Sequence, residues 1–210
     1  MLIERPWGIT AFGHATAQVD PDHAILRLAV NRLDNKPDKA LQATSAGVTA
    51  VRAVLRQRSV PDAAVTSSRT SIHSVWDGYG ADRRFRGHQC RAEFSIRIAQ
   101  LGEVEQVLVA LVASGADEIL GVDYDTSRTR EVRADARREA VAAAEAKARL
   151  YAEAAGVGLG PVVHIEDLNP DQPAAMAYRA GGAGDAASAD FAPGQITVAA
   201  SVVVGYQIAH

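Results

Sequence analysis

The sequence predicts an α+β fold, an antiparallel sheet with three main helices packed against it. Three observations carry the prediction. From Gln89 to Ala99 the chain alternates, with Cys90, Ala92, Phe94, Ile96 and Ile98 on one side and Gln89, Arg91, Glu93, Ser95 and Arg97 on the other. That period of two marks a strand with one covered and one wet face, as antiparallel sheets have. Three segments carry apolar or small residues at helical spacing. The last strand has valines on both faces (Val198, Val202, Val203, Val204), which predicts a central place in its sheet.

The elements follow in order. Ile9 to Asp20 reads as a strand in which Gly13 marks a bulge. After the turn signal Asp20-Pro21-Asp22 comes a second strand, Ala24 to Val30, and the two are expected to pair as a hairpin. Asp38 to Arg58 is a helix with Leu41, Val48, Val51, Val54 and Leu55 on its apolar side; Asp34 and Asn35 offer capping oxygens and Pro37 suits the first turn. Val65 to Trp76 is a strand, and a loop from Asp77 to Arg84 leads into the alternating strand.

Glu103 to Ala113 is a second helix, striped by Val104, Val107, Leu108, Leu111 and Val112 and stopped by Gly115. Ile119 to Thr126 is a short strand. Glu131 to Ala155 is the longest helix. Its alanines at 136, 140, 144, 148 and 152 form a stripe on which a helix can lie close to a neighbour, with Gly156 as its C-terminal cap. Pro161 to Leu168 and Ile196 to Ile208 are the final strands. Asn169 to Gly194 between them is rich in Gly, Ala, Ser and Asp and is expected to be a mobile insertion in a single domain spanning 1–210.

Bulk properties narrow the function. A chain of 210 residues buries roughly 70% of its unfolded surface, so neither disulfide nor metal is needed for stability. The net charge of -3 supplies no global field for nucleic acid or anionic membrane. The single cysteine, Cys90, excludes an internal disulfide. No run approaches the ~18 apolar residues of a membrane span, so no membrane role is expected. Met1 to Trp7 lacks the apolar stretch of a secretory leader, which predicts a cytoplasmic location, or a periplasmic or secreted one if a leader has been trimmed.

This order of elements, with certain local sequences, is similar to a known family. Gly13-His14-Ala15 precedes Val19-Asp20-Pro21-Asp22-His23-Ala24; Val65 to Ile72, Gly87 to Ile98 and Gly115-Ala116-Asp117-Glu118-Ile119 follow. Then come Ala136 to Val141, Lys147 to Ala152, Gly156-Val157-Gly158-Leu159-Gly160 and Pro193 to Val198. The chain resembles the SIMPL domain, a domain of unknown function, from about Gly8 to Ile208. The resemblance implies a SIMPL-like fold and no established catalytic residues. It further implies links in some members to oxidative-stress defence, surface or periplasmic antigens in others, kinase association in a eukaryotic relative, and ring-like or channel-like homo-oligomers.

Candidate sites weigh toward association. The glycines at 156, 158 and 160 follow a helix and enter a strand, the reverse of a dinucleotide loop, so they read as a cap and turn. His73 and His88, with Asp77, Asp82 or Cys90 nearby, fall short of a metal-ligand pattern. Cys90 reads as a small buried hydrophobe; the sharper alternative is a redox thiol, but Arg91 points to the opposite face and no resolving cysteine exists. Arg83, Arg84 and Arg86 share a loop with Tyr79 and Phe85, a pairing that suits stacking on single-stranded nucleic acid. Without a wider basic surface a solvent loop or a protein contact is favoured, and Tyr79, Arg83, Arg84 and Phe85 are the candidate partner contacts. Arg128, Arg130 and Arg133 are interleaved with carboxylates and read as a solvated helix face.

The segment Thr10 to Ala17 has no charge and no proline, so an exposed edge there invites another chain. Phe12, Ala15 and Ala17 are the candidate self-association residues. The sequence, with the resemblance, thus predicts a non-enzymatic protein that self-assembles as a homo-oligomer or binds a protein partner, with a link to stress defence, no catalytic, cofactor or metal site, and no nucleic-acid ligand. The alternative is a redox-active enzyme, or one with an unrecognised site, using Cys90.

Overall fold

The computed structural model describes residues 8–168 and 194–209. The insertion expected at 169–194 lies outside them, Gly194 apart. Among the described residues seven strands and three helices run in the order β1 (Ile9–Val19), β2 (His23–Asp34), α1 (Pro37–Gln57), β3 (Val65–Asp77), β4 (Arg84–Ile98), α2 (Val104–Ala113), β5 (Glu118–Asp125), α3 (Thr129–Ala155), β6 (Gly158–Asp167) and β7 (Ile196–Ala209). The class is α+β, with all strand pairs antiparallel.

The strands form two sheets, in two compact units. One unit is the continuous segment Pro21–Asp125; the other combines residues 1–20 with 126–210. The expected β1–β2 hairpin does not form. β1 pairs with β7 in unbroken register from Ile9↔Tyr206 to Val19↔Ile196, while β2 pairs with β4 and β5. Side-chain size explains the separation. The covered face of β1 is small (Ala11, Gly13, Ala15, Ala17) and suits an alanine-striped helix, whereas that of β2 is large (Leu26, Leu28, Val30) and suits the larger apolar side chains of α1 and α2.

In the continuous unit the sheet order is β3-β4-β2-β5. Its core joins Leu26, Leu28, Val30, Phe94 and Ile96 to Val51 and Leu55 of α1 and Val107 and Leu111 of α2. The buried line of α1 runs Ala40, Thr44, Gly47, Val51, Leu55, so Leu41, expected on that line, is instead exposed. Small residues win there because α1 comes close: a Cβ on Gly47 would stand 2.7 Å from Val30 Cγ1. The α1 start also differs from expectation. Asp34 Oδ1 accepts from the Lys36 N–H at 3.0 Å, and no side chain caps the helix.

In the other unit β7 is central, as its valines predict, in the order β1-β7-β6. The α3 alanines 136, 140, 144 and 148 are 0% exposed and lie on the faces of β1 and β7. On a helix of ~3.6 residues per turn, a step of four drifts by about 40°, so the stripe winds gradually around the helix. Gly13 marks no bulge. It is the point of closest approach, where a Cβ would meet the Ala140 carbonyl oxygen at 1.8 Å. Gly156 ends α3 at φ 68, ψ 28, the left-handed cap conformation glycine adopts without a Cβ clash, and the Val157 N–H donates back to the Ala152 carbonyl at 3.0 Å.

Candidate protein-interaction surface

The β3–β4 hairpin is longer than the strand beside it. The β2–β4 ladder ends at Asp34↔His88, whereas β3 and β4 continue through Val75↔Gly87 and Trp76↔Phe85 to Asp77↔Arg84. Beyond β2 the two strands project as a ribbon. Its turn is Gly78 to Arg83, which includes a short 3-10 segment at Gly80–Asp82; the Asp77 carboxylate accepts from the Gly78 N–H at 3.0 Å.

All four candidate partner-contact residues lie on this arm. Tyr79 is 96% exposed at the tip. Phe85 meets Trp76 edge-on at 5.1 Å between ring centroids and His88 edge-on at 5.2 Å. The Arg83 guanidinium lies over the Trp76 ring, 4.8 Å from its centroid. Arg84 is opposite Asp77 in the register. Trp76 and Phe85 remain 47% and 43% exposed although they touch each other.

Trp76 and His88, which are not among the four candidate contacts, join the aromatic cluster. The signal was the loop itself: once Asp77 and Arg84 are taken as the last facing pair, Trp76 must face Phe85. The register shift between Val75 and Trp76 then brings His88 onto the same face, and Gly87, a strand glycine at φ 137 beside the shift, is the signal that marks it.

Phe12, Ala15 and Ala17 are all on β1, an edge strand paired only to β7 among the described residues. They do not share a face. Phe12 is exposed, stacked against His14 at 6.4 Å, and its carbonyl accepts a 2.7 Å hydrogen bond from Lys147 Nζ. Ala15 and Ala17 turn inward and pack against the core beneath α3. His14 Nδ1 and Ser201 Oγ share a hydrogen bond at 3.0 Å across the strand pair, and no carboxylate orients this histidine among the described residues.

The four sheet edges differ in how they are guarded. β6 carries Pro161 and register shifts between Leu159 and Val162 and between Val162 and His164. β5 is only 8 residues long and lies opposite a shift between Arg27 and Leu28. β1 has one lysine over one carbonyl. β3 runs unshifted from Ser67 to Val75 with one charged residue, Arg69, and no proline. Proline, bulges, short length and lysine are the devices that blunt edges, so β1 and β3 are the more open pair.

His73 and His88 are on adjacent strands, as expected, but His73 faces Gln89 and His88 faces Ser74, so the two imidazoles project from opposite faces. Among the described residues no group of three His, Cys, Asp or Glu side chains gathers as a metal would need. Cys90 is 0% exposed, and Thr44 Oγ1 lies 3.2 Å from its carbonyl oxygen. Arg91, on the opposite face, is ion-paired to Glu93 at 2.8 Å and Glu118 at 2.7 Å. Arg128 pairs with Glu131 at 3.1 Å, in keeping with a solvated helix face.

The shifted ionisable groups are also of structural kind. A hydrogen bond from Arg56 holds the Asp62 carboxyl below its ordinary range, and burial pushes up the phenols of Tyr124 and Tyr206. Among the described residues no helix is long and apolar enough to cross a membrane.

The SIMPL family, described as a protein of unknown function (DUF541), matches residues 9–206. The chain belongs to this family. Two curated relatives are each 28% identical over 183 residues, covering 84% of this chain and 73% of the relative. Both are named 26 kDa periplasmic immunogenic protein, one from Brucella melitensis biotype 1 and one from Brucella abortus strain S19. A crystal structure from Burkholderia cenocepacia, assigned provisionally as an amidohydrolase/peptidase, is 18% identical with a TM-score of 0.21. It covers 61% of this SIMPL chain, which spans 33% of its length. So low a score carries no argument about fold or activity.

Proposed function

We propose that this SIMPL protein works by protein association rather than catalysis, and that β1 is where it meets a second copy of itself. The open edge of β1 carries the reading. It is an 11-residue strand whose outer row of backbone groups pairs with no other strand among the described residues and is guarded by Lys147 at one carbonyl, and an exposed edge of that kind is a template for another strand. Its outer face adds the stacked Phe12 and His14. The burial of Cys90 and the placing of Arg91 on the opposite face count against a redox enzyme at that thiol. The periplasmic location named for both Brucella relatives supports the periplasmic alternative over the cytoplasmic one.

The test uses lysine as natural edge strands do. Thr10 and Thr16 are exposed on the face of β1 away from α3. A Thr10→Lys/Thr16→Lys variant is expected to sediment as a smaller species than the unaltered protein while keeping its thermal unfolding midpoint. Slow, concentration-dependent amide exchange across β1 in the unaltered protein would mark the contact. An oligomer that survives both substitutions would move the contact away from this edge.

A further inference from the structure

The β3–β4 arm is a second and separate surface, and its chemistry points to a different kind of occupant. We infer that the free edge of β3 accepts an extended strand from a partner protein, with acidic residues on one face of that strand and apolar residues on the other. The inference does not depend on self-association at β1.

Three observations converge. The first is the edge itself: β3 is 13 residues long, unshifted from Ser67 to Val75, and paired on one side only among the described residues. A strand added there would bond backbone to backbone, with its side chains alternating between the two faces of the sheet.

The second is what each face offers. On the face shared with Cys90, β3 presents Ile72 and Trp76, both 47% exposed, and neither is roofed over by a helix in the way that β2 and β4 are. On the opposite face it presents Arg69 and His73. Alternate residues of an incoming strand would therefore meet Ile72 and Trp76 on one face and, on the other, Arg69, whose facing carboxylate Glu93 is already held by Arg91.

The third is charge. Residues 69–88 contain four arginines (69, 83, 84 and 86) against two aspartates (77 and 82), in a chain whose net charge is -3. Among the described residues none of these four guanidinium groups is ion-paired; Arg83 lies over Trp76 instead. Exposed arginine beside exposed Trp, Tyr and Phe is also the composition of interface hot spots.

Single-stranded nucleic acid would use the same arginines but needs free ring faces for bases to stack on. Here one side of Trp76 is taken by Arg83 and Phe85 packs edge-on against both Trp76 and His88, which leaves Tyr79 as the one aromatic ring of the arm open to stacking. The arrangement favours a protein strand.

The probe is a capped, fluorescent peptide of about ten residues alternating valine and glutamate, a length typical of a strand, read by anisotropy with the full chain. Binding is expected, with slowed amide exchange along β3. An Arg69→Glu/Arg84→Glu variant should bind it about tenfold or more weakly, equivalent to ~1.4 kcal/mol. The same peptide N-methylated at its central residues, and a valine–lysine version, should not bind. The inference is overturned if the valine–glutamate peptide fails to bind, if N-methylation leaves binding unchanged, or if protection falls outside β3. It is also overturned if oligothymidylate binds more tightly than the peptide and that binding is lost in the double variant. None of these outcomes alters the native mass, so the β1 reading stands or falls separately.

Discussion

At the scale of single residues, Gly13 and Cys90 define what the interior tolerates. A Gly13→Ala Cβ would overlap the Ala140 carbonyl and crowd the Ala144 amide, backbone atoms that no rotamer change can move. The substitution should cost about 1–3 kcal/mol or more, the range for overpacked cores, seen as a lower urea midpoint. Ala15→Glu and Ala17→Glu should also destabilise the fold, because both side chains pack beneath α3, while Thr16→Glu on the exposed face should leave the midpoint nearly unchanged. The sequence displayed the alternation of β1 but not which parity faced the helix, since Ala and Thr are too alike in polarity to mark an inside. That is why Ala15 and Ala17 were legible as members of an edge strand and not as members of its buried face. Cys90 was legible, since it shares parity with Phe94 and Ile96. Its thiol should resist a disulfide reagent in the native protein and react on unfolding.

At the scale of elements, local pattern located the strands and helices closely, and the alanine stripe of α3 announced its close packing. Partner choice was less visible. β1 and β2 are separated by a turn signal that suits a hairpin, yet β1 pairs with β7, far away in sequence. Local periodicity carries no information about which distant strand completes a sheet; the complementarity of small with small and large with large does, once the helices are known. The β3–β4 arm is a third case. Its loop was legible, but its reach past β2 depends on where β2 ends. Because the arm lies beyond the helix-packed core, Trp76→Ala should speed amide exchange from Val75 to Gly87 while lowering global stability by less than about 1 kcal/mol, as surface substitutions do.

At the scale of the whole molecule, the chain divides into two compact units, each with its own sheet and core. One is a continuous segment inserted between β1 and α3 of the other. The excised segment 21–125 holds a four-stranded sheet, two helices and a large apolar cluster, so it should fold alone with a cooperative thermal transition. The remainder should not fold unless 1–20 is joined to 126–210, because β1 supplies one side of its sheet. Composition gave no sign of this boundary, since both units have similar polarity and the crossings at Asp20–Pro21 and Asp125–Thr126 are short. The central claim is that the protein acts by assembly through an open sheet edge. Light scattering coupled to size exclusion, on the full chain over a wide range of concentrations, tests it most directly. The account predicts a mass that is a multiple of the single chain and falls on dilution or on introducing Thr10→Lys/Thr16→Lys. The mass of one chain at every concentration would contradict it.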